Sequence, residues 1–582
     1  MSAGEECDGG NAGQTPATPW LGHYAPGVPA HVEHLPRLLD ELLAATARRH
    51  PERAAVVFAV PAAGRVFTSA ITFRALDTLV GRFAASLQRL GVAAGERLAI
   101  CLPNCPQFVI AFLGAARAGV IAVPFNPLSS AREVAQLLHD SGAKTIVVLD
   151  RFLPLVRSAC EGGALERVVV TSVKEHFPAP LWLLYTLTRE MRERPPRPAA
   201  GELRFRDLLG PGSPSPVAIC EDDTAVLLYT GGTTGVSKGV ELTHRNLVCN
   251  AEQNRAWAGV GDGTDSALVA LPLFHAFGLT CGLNLGVLAG VTQILFPNPR
   301  DTRGLAQAIH RLRPTIFPVV PTLLVGIASL PDLSRYDLRS IRICPCAGSA
   351  LAPAVQRVFT ERTGVTVFEG YGLTEASPVT HGNPPGGENR AGTIGLPYPD
   401  TIARVVGVTG AAGDLPFEGD WTLPGELVVR GPQVMKGYWK RPQDTAAQLR
   451  DGWLRTGDVA QMHRDGYFRI VDRLKDVIIR GGLNIYPAEV EAVIAEHPEV
   501  LEALVIGVPD PALGELVKAF VVPRPGAALT SERLLAFCRE NLAKYKVPSA
   551  VEFRSELARS AVGKPLRRAL REELAAQAGP AR

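Results

Sequence analysis

The chain has 582 residues, 46% of them hydrophobic and 20% charged, with a formal net charge of +3. That length exceeds one ordinary core, so two or more domains are expected. The near-neutral balance excludes a general attraction to nucleic acid. No run reaches the length of a membrane span, about 18 apolar residues. The ten cysteines are scattered. Neither Cys344-x-Cys346 nor Cys101-x-x-x-Cys105 has the second pair that a zinc site needs. Reduced, buried thiols of a cytoplasmic protein are expected instead.

Met1–Pro16 is small, polar and slightly acidic. It lacks the basic start and apolar centre of a secretory signal, so a disordered tail over 1–18 is expected. Leu38–Arg49 carries apolar residues at helical spacing. Ile71–Leu90 predicts a second helix, with Thr72 as N-cap. Arg97–Leu102 is strand-like, Pro106–Ala118 helical, and Val120–Val123, Lys144–Leu149 and Arg167–Thr171 are further strands. Strands alternating with helices imply a parallel sheet covered on both faces.

Phe177–Arg194 breaks this alternation. Leu181, Leu184, Tyr185, Thr188 and Met191 share one helical face, with Trp182 beside it and Arg189, Arg192 and Arg194 toward the end. Such a segment suits a membrane interface and equally an ordinary surface helix. Pro195–Pro198 ends it. Gly210–Pro216 is a loop leading to the next strand.

That strand is Ala225–Leu228, and it runs into Tyr229–Val240, Tyr-Thr-Gly-Gly-Thr-Thr-Gly-Val-Ser-Lys-Gly-Val. Glycines let backbone N–H groups close on an anion. Threonine hydroxyls add donors, and Lys238 adds a positive charge. These features suit a polyphosphate, although a flexible surface turn would share the composition. The P-loop pattern G-x-x-x-x-G-K-[ST] fails, because Gly239 follows Lys238.

Further on, Thr243 caps a helix opened by Thr243–Leu247. His275 stands between Phe274 and Phe277, where a satisfied core histidine is the ordinary outcome. Gly278–Val291 is small and apolar and would line a chain-shaped pocket, with Pro318–Leu324 as another wall. The strand Ile341–Pro345 leads into the small residues Ala347–Ala350. Glu369–Glu375 reads Glu-Gly-Tyr-Gly-Leu-Thr-Glu. The adjacent charges of a nucleoside triphosphate need a hard cation, and a carboxylate oxygen suits Mg²⁺. Gly425–Trp439 alternates and predicts a hairpin. Asp458, within Gly452–Val459, would by itself be a solvated turn residue. The last part alternates Leu501–Val508, Lys518–Val522, Leu534–Leu542 and Ala550–Phe553, a module of about 110 residues, within domain size. Ser560–Lys564 alone would be a turn with a solvated lysine.

Taken together, these motifs resemble the adenylate-forming superfamily: acyl-CoA synthetases, firefly luciferase and the adenylation domains of peptide synthetases. The resemblance runs from about Pro19 to the Arg571 region. Gly-Gly-Thr-Thr-Gly, and Pro19–Pro29 (PWLGHYAPGVP), are most like the bacterial long-chain fatty acid–CoA ligases. The commonest family form has Ser at Gly232 and Pro at Ser237. The resemblance implies an α/β fold: a large N-terminal domain with parallel-rich sheets sandwiched by helices (19–472), and a small mobile C-terminal α+β domain (473–582).

It also implies residue roles. Thr230, Gly231, Gly232, Thr233, Thr234, Gly235 and Lys238 would hold the phosphates of ATP. Gly348, Ser349 and Ala350 would lie against adenine, and Glu369, Gly370, Tyr371 and Gly372 would hold its other side, with Tyr371 stacking. Thr374 would touch the α-phosphate, and Glu375 with Thr230 would bind Mg²⁺. Asp458 and Arg473 would reach the ribose, with the hinge falling at Asp472–Lys475. His275 would gate or orient between the carboxylate pocket and the thiol tunnel. Gly481 and Gly482 would serve the coenzyme A side, and Lys564 would be the catalytic lysine of adenylation. Many relatives have Lys where Ile479 stands; Arg480 is the available substitute.

The implied reaction joins a fatty acid to ATP as acyl-AMP, with pyrophosphate leaving, then transfers the acyl group to coenzyme A. The alternatives are an aryl or medium-chain acyl-CoA synthetase, an acyl-AMP ligase feeding a carrier protein, and, from another class, an inactive lipid-binding protein. Nucleic acid is not an expected partner. A cytoplasmic location is expected, with peripheral membrane contact through 177–194 and homodimer formation both left open.

Overall fold

A computed structural model describes residues 18–34, 37–159, 165–190, 196, 198–230, 237–407, 414–480, 483–510, 513–559 and 566–578. The expected tail before Thr18 lies outside the described residues.

The central element is an eight-stranded sheet. Its order is Gly437–Tyr438, Lys238–Thr243, Thr224–Thr230, Ile121–Pro124, Arg97–Cys101, Thr145–Leu149, Arg167–Thr171, Leu203–Arg204. The strands from Thr224–Thr230 onward are mutually parallel, and the first two pair antiparallel. Strands such as Thr145–Leu149 are buried throughout, as expected where helices cover both faces and apolar runs replace alternation. The helices Phe73–Arg89 and Pro106–Arg117 cover one face, burying Phe83, Phe108 and Phe112, and Ala131–Ser141 with Leu153–Ala159 covers the other through Val134, Leu138, Leu153 and Val156.

The predicted alternation is therefore present, with ends moved by a residue or two. Thr72 accepts from the N–H of Ala75 as the N-cap. The helix starts at Phe73, since Ile71 and Thr72 close the strand Arg65–Thr72. Thr243 caps the helix His244–Ala258 through Asn246 N–H. A second sheet, Ser266–Val269, Thr292–Leu295, Ala54–Ala62 and Arg65–Thr72, packs beside the first.

The predicted hairpin over Gly425–Trp439 is not formed. Gly425–Arg430 pairs with Ile402–Val406 and Trp453–Met462 in an antiparallel sheet. Gly437–Tyr438 pairs with Lys238–Thr243 in the large sheet instead. The connection is diverted by Asn246, whose side-chain amide donates to the carbonyls of Pro432 and Val434. Satisfying those buried carbonyls outweighs local strand pairing.

The C-terminal part is a five-stranded sheet with its own apolar core around Ile478, Val490, Val505, Val517 and Leu534. Ala550–Phe553 matches its predicted limits and pairs parallel with Gly514–Pro523. The last helix, Arg567–Ala578, is tied to the connecting segment. Arg567 reaches Glu491 and Asp476, and Arg571 reaches Asp476 at 2.7 Å.

Ala179–Tyr185 is helical and continues as a π-turn over Thr186–Glu190. Phe177 stacks on Phe58 and meets Tyr185 edge-on. Leu181 is buried, whereas Trp182, Leu183, Leu184 and Leu187 face solvent. The expected shared face is thus split, because Leu184 points outward while Leu181 packs inward. Among the described residues no helix is long and apolar enough to cross a membrane. The described cysteines are unpaired, and all but Cys220 are buried.

Candidate active site

Thr230 and Lys238 are antiparallel partners at the ends of their strands. The hydroxyl of Ser237 donates to the Thr230 carbonyl at 3.0 Å. The loop between them, Gly231, Gly232, Thr233, Thr234 and Gly235, lies outside the described residues. So do Gly481, Gly482 and Lys564.

Lys238 Nζ lies 2.8 Å from Asp444 Oδ1 and 5.0 Å from the centre of the Tyr438 ring. The Tyr438 hydroxyl donates to Glu375 Oε1 at 2.8 Å. Burial and the nearby Glu375 carboxylate raise the Tyr438 pKa, so the phenol stays a donor. Tyr438 thus joins the predicted lysine to the predicted carboxylate. Sequence reasoning missed it, because only the sheet crossing of Gly437–Tyr438 brings it there. Thr374 opens the short turn Thr374–Ala376 that carries Glu375.

Four residues earlier, Tyr371 lies on the strand Phe368–Gly372. This strand pairs parallel with Pro345–Cys346 and antiparallel with Val379–Gly382. The approach is close: a Cβ on Gly372 would sit 2.0 Å from the Pro378 carbonyl oxygen. Gly348 has φ +89, a left-handed conformation that favours glycine. The turn Gly348–Ala350 is fastened to the strand, because Leu351 N–H donates to Glu369 Oε1 at 3.0 Å.

Tyr371 donates its hydroxyl to Asp458 Oδ2, and Arg473 Nε lies 3.1 Å from Asp458 Oδ1. Asp458 is buried within the strand Trp453–Met462, directly paired with Arg473 on Phe468–Arg473. The solvated-turn alternative for Asp458 therefore fails. The Asp458 carboxylate raises the Arg473 pKa, holding the guanidinium charged. Burial, then the neighbouring Arg473 charge, lowers the pKa of Lys475. Ile479 is exposed, and Arg480 donates to the Tyr545 carbonyl.

His275 caps the short helix Ala276–Gly278, its Nδ1 accepting from Phe277 N–H at 3.3 Å. Burial lowers its pKa, which keeps the ring neutral and suits an orienting group better than a proton carrier. Behind it, Leu279–Asn284 forms a π-helix that continues into Leu285–Ala289. Such π-turns often mark functional sites.

Cys281 and Leu285 from this segment line a small, largely apolar cavity. The expected second wall contributes Pro318; the other sides are Glu369–Gly370, Trp257 and Tyr398. Glu369 is the titratable exception. Burial raises its pKa to about 8, and its Oε2 has no partner. Trp257 and Tyr398 also escaped sequence reasoning, being ordinary aromatics without a motif.

The predicted residues thus gather in two linked groups, Lys238–Tyr438–Glu375 and Tyr371–Asp458–Arg473, beside a cavity that shares the strand Phe368–Gly372. Asp444 and Tyr438 complete the first group. Among the described residues there is no cluster of three or more metal-ligating side chains.

The chain is 41% identical to the long-chain-fatty-acid–CoA ligase of Bacillus subtilis (strain 168), over 95% of this chain and 98% of that one. It is 40% identical to the long-chain-fatty-acid–CoA ligase of Yersinia pestis over the same shares. The crystal structure of an anthranilate CoA ligase in complex with anthranoyl-AMP superposes with a TM-score of 0.79 at 28% identity, over 93% of this chain and 98% of that one. Residues 43–439 match the AMP-binding enzyme family and residues 489–564 its C-terminal domain, and the chain belongs to that family.

Proposed function

We propose that this protein is an AMP-forming long-chain fatty acid–CoA ligase: it activates a fatty acid with ATP to acyl-AMP and passes the acyl group to coenzyme A. The observation that carries this reading is the single strand Phe368–Gly372, which borders the apolar cavity at Glu369 and Gly370 and engages Asp458 through Tyr371. The acyl group and the nucleotide would meet near it.

A carboxylate is a poor acyl donor, because direct attack would have to expel oxide. Attack of its oxygen on the α-phosphorus of ATP makes a mixed anhydride and releases pyrophosphate. Both reactants are anions, so catalysis rests on positioning and charge stabilisation. Lys238, Thr374 and the hydroxyls and amides of Thr230–Gly235 would supply it on the phosphates. Asp458 and Arg473 would hold the ribose hydroxyls, and Gly348–Ala350 with Tyr371 the base. Lys475, His275, Gly481 and Gly482 would take the roles that the resemblance implies.

Glu375, joined by Thr230 as the resemblance implies, would hold a Mg²⁺ ion. Tyr438 engages one Glu375 oxygen as a neutral donor, and Mg²⁺ commonly takes one or two carboxylates and completes its shell with phosphate and water. The ion would neutralise triphosphate charge. Residues 19–472 would form the nucleotide and acyl sites, and 473–582 the mobile domain that presents Lys564. Arg567 and Arg571 tie the last helix to Asp476, so the segment ahead of Arg567 would move with the small domain. The exposed Trp182, Leu183 and Leu187 would give a peripheral contact with a membrane from which the substrate is drawn.

The test is direct. Purified protein with ATP, Mg²⁺ and hexadecanoate should release pyrophosphate, and should form the thioester once coenzyme A is added. Absence of both products with every carboxylic acid would leave the lipid-binding alternative.

A further inference from the structure

One short stretch of chain, residues 437–445, holds Lys238 with two different groups. Lys238 Nζ lies 2.8 Å from Asp444 Oδ1 and 5.0 Å from the centre of the Tyr438 ring. Trp439 N–H donates to the Gly239 carbonyl at 2.8 Å, which fastens the stretch to the strand that carries Lys238. Thr445 follows Asp444 on the helix Pro442–Gln448, and its Oγ1 accepts from Tyr438 N–H at 2.9 Å. The packing is close: a Cβ on Gly437 would lie 2.8 Å from Thr445 Cγ2. Ring and carboxylate are therefore fixed relative to each other and to the ammonium.

The neighbouring cations are engaged elsewhere. Lys440 Nζ donates to the Asp140 carbonyl at 3.0 Å, and Arg441 lies 3.7 Å from Asp140 Oδ1. Lys436 lies 3.7 Å from Glu241. Among the described residues, Asp444 and Lys238 have no ion-pair partner but each other. A triphosphate acts differently on the two holders. The Tyr438 ring is neutral and can stay against Lys238 when phosphate arrives. The Asp444 carboxylate repels phosphate and competes with it for the same ammonium. From the Proposed function above, on which this step rests, we infer that Asp444 is a positioning counter-ion: it holds Lys238 before ATP binds, yields it to the phosphates, and takes it back as pyrophosphate leaves.

The energetics suit a reversible exchange. The Lys238 and Asp444 side chains are 23% and 37% exposed. A pair so open to solvent contributes at most about a fivefold preference. That is enough to keep a long side chain in one place and too little to shut ATP out. A lysine ammonium carries three donors, so it can engage a phosphate oxygen before its bond to Asp444 is broken.

The test follows acyl-CoA formation by the full-length protein from hexadecanoate, coenzyme A and ATP, with Mg²⁺ in fixed excess. The readouts are KM for ATP and the inhibition constant of added pyrophosphate, neither of which depends on the fraction folded. Asp444→Asn keeps the shape and removes the charge. Both constants should fall, roughly two- to fivefold, because the competitor for Lys238 is gone. Lys238→Ala should raise both. Constants unchanged or raised in Asp444→Asn would overturn the inference while leaving the ligase reading intact, and so would constants unchanged in Lys238→Ala. A wild-type protein that forms no thioester with any carboxylic acid would instead remove the ligase reading, and the inference with it.

Discussion

Tyr371 donates its phenolic hydroxyl to Asp458 at 2.5 Å, while Arg473 holds the other carboxylate oxygen at 3.1 Å. A carboxylate buried between a phenol and a guanidinium is fixed in orientation before any nucleotide arrives. Asp458→Asn keeps the shape and loses the charge. A hydrogen bond to a charged group contributes about 1.5–3 kcal/mol, so kcat/KM for ATP should fall roughly 10–150-fold. Tyr371→Phe should cost less. Steady-state kinetics with ATP and fatty acid varied separately check this. A fall confined to the fatty acid would be incompatible with a ribose role.

Tyr438 connects Lys238 and Glu375, and its hydroxyl is the group at risk. Tyr438→Phe retains the ring beneath Lys238 but removes a donor from Glu375. A lost hydrogen bond to a carboxylate, about 1.5–3 kcal/mol when fully buried and less at this half-buried site, should appear as a changed dependence of rate on Mg²⁺. Titrating Mg²⁺ at saturating ATP measures it. Identical curves for the two proteins would separate Glu375 from the ion.

Glu369 makes stability depend on pH. Burial raises its pKa from 4.5 to about 8 in the folded protein. The folded state therefore binds a proton that the unfolded state has already released between those values. Stability falls as pH rises through that window, and the loss is complete above about 8. Glu369→Gln keeps a group that can accept from Leu351 N–H and removes the titration. Melting temperatures should diverge in favour of the variant from pH 5 to pH 8 and run parallel above. Parallel curves throughout would contradict the buried, unpaired state of Oε2.

By the family resemblance, Lys564 would act in the first half-reaction only. Lys564→Ala should abolish pyrophosphate release from ATP and fatty acid. It should leave thioester formation from supplied acyl-AMP and coenzyme A within a few-fold of wild type. Both half-reactions are read separately by product chromatography. Equal loss of the two would end the assignment.

Much of this protein was legible from local chemistry. Thr72 and Thr243 cap their helices because a side-chain oxygen three residues ahead of an N–H needs no distant partner. Apolar runs such as Arg167–Thr171 became buried parallel strands at their predicted limits. Lys238 and Glu375 stood out by type and motif, and Asp458 and Arg473 only through the family resemblance.

Only the tertiary structure decided how those residues are joined. Asp458 read alone as a turn residue, and its burial comes from pairing with the strand that carries Arg473. Gly425–Trp439 read as a hairpin, but Asn246 draws its middle away, so Tyr438 crosses to another sheet. Tyr24, Trp257 and Tyr398 have no periodic or motif relationship, yet they form one wall. Capping and strand burial depend on neighbours a few residues away, which order along the chain specifies. Sheet exchange and cavity closure depend on which distant groups satisfy each other's buried polar atoms and fill each other's volume.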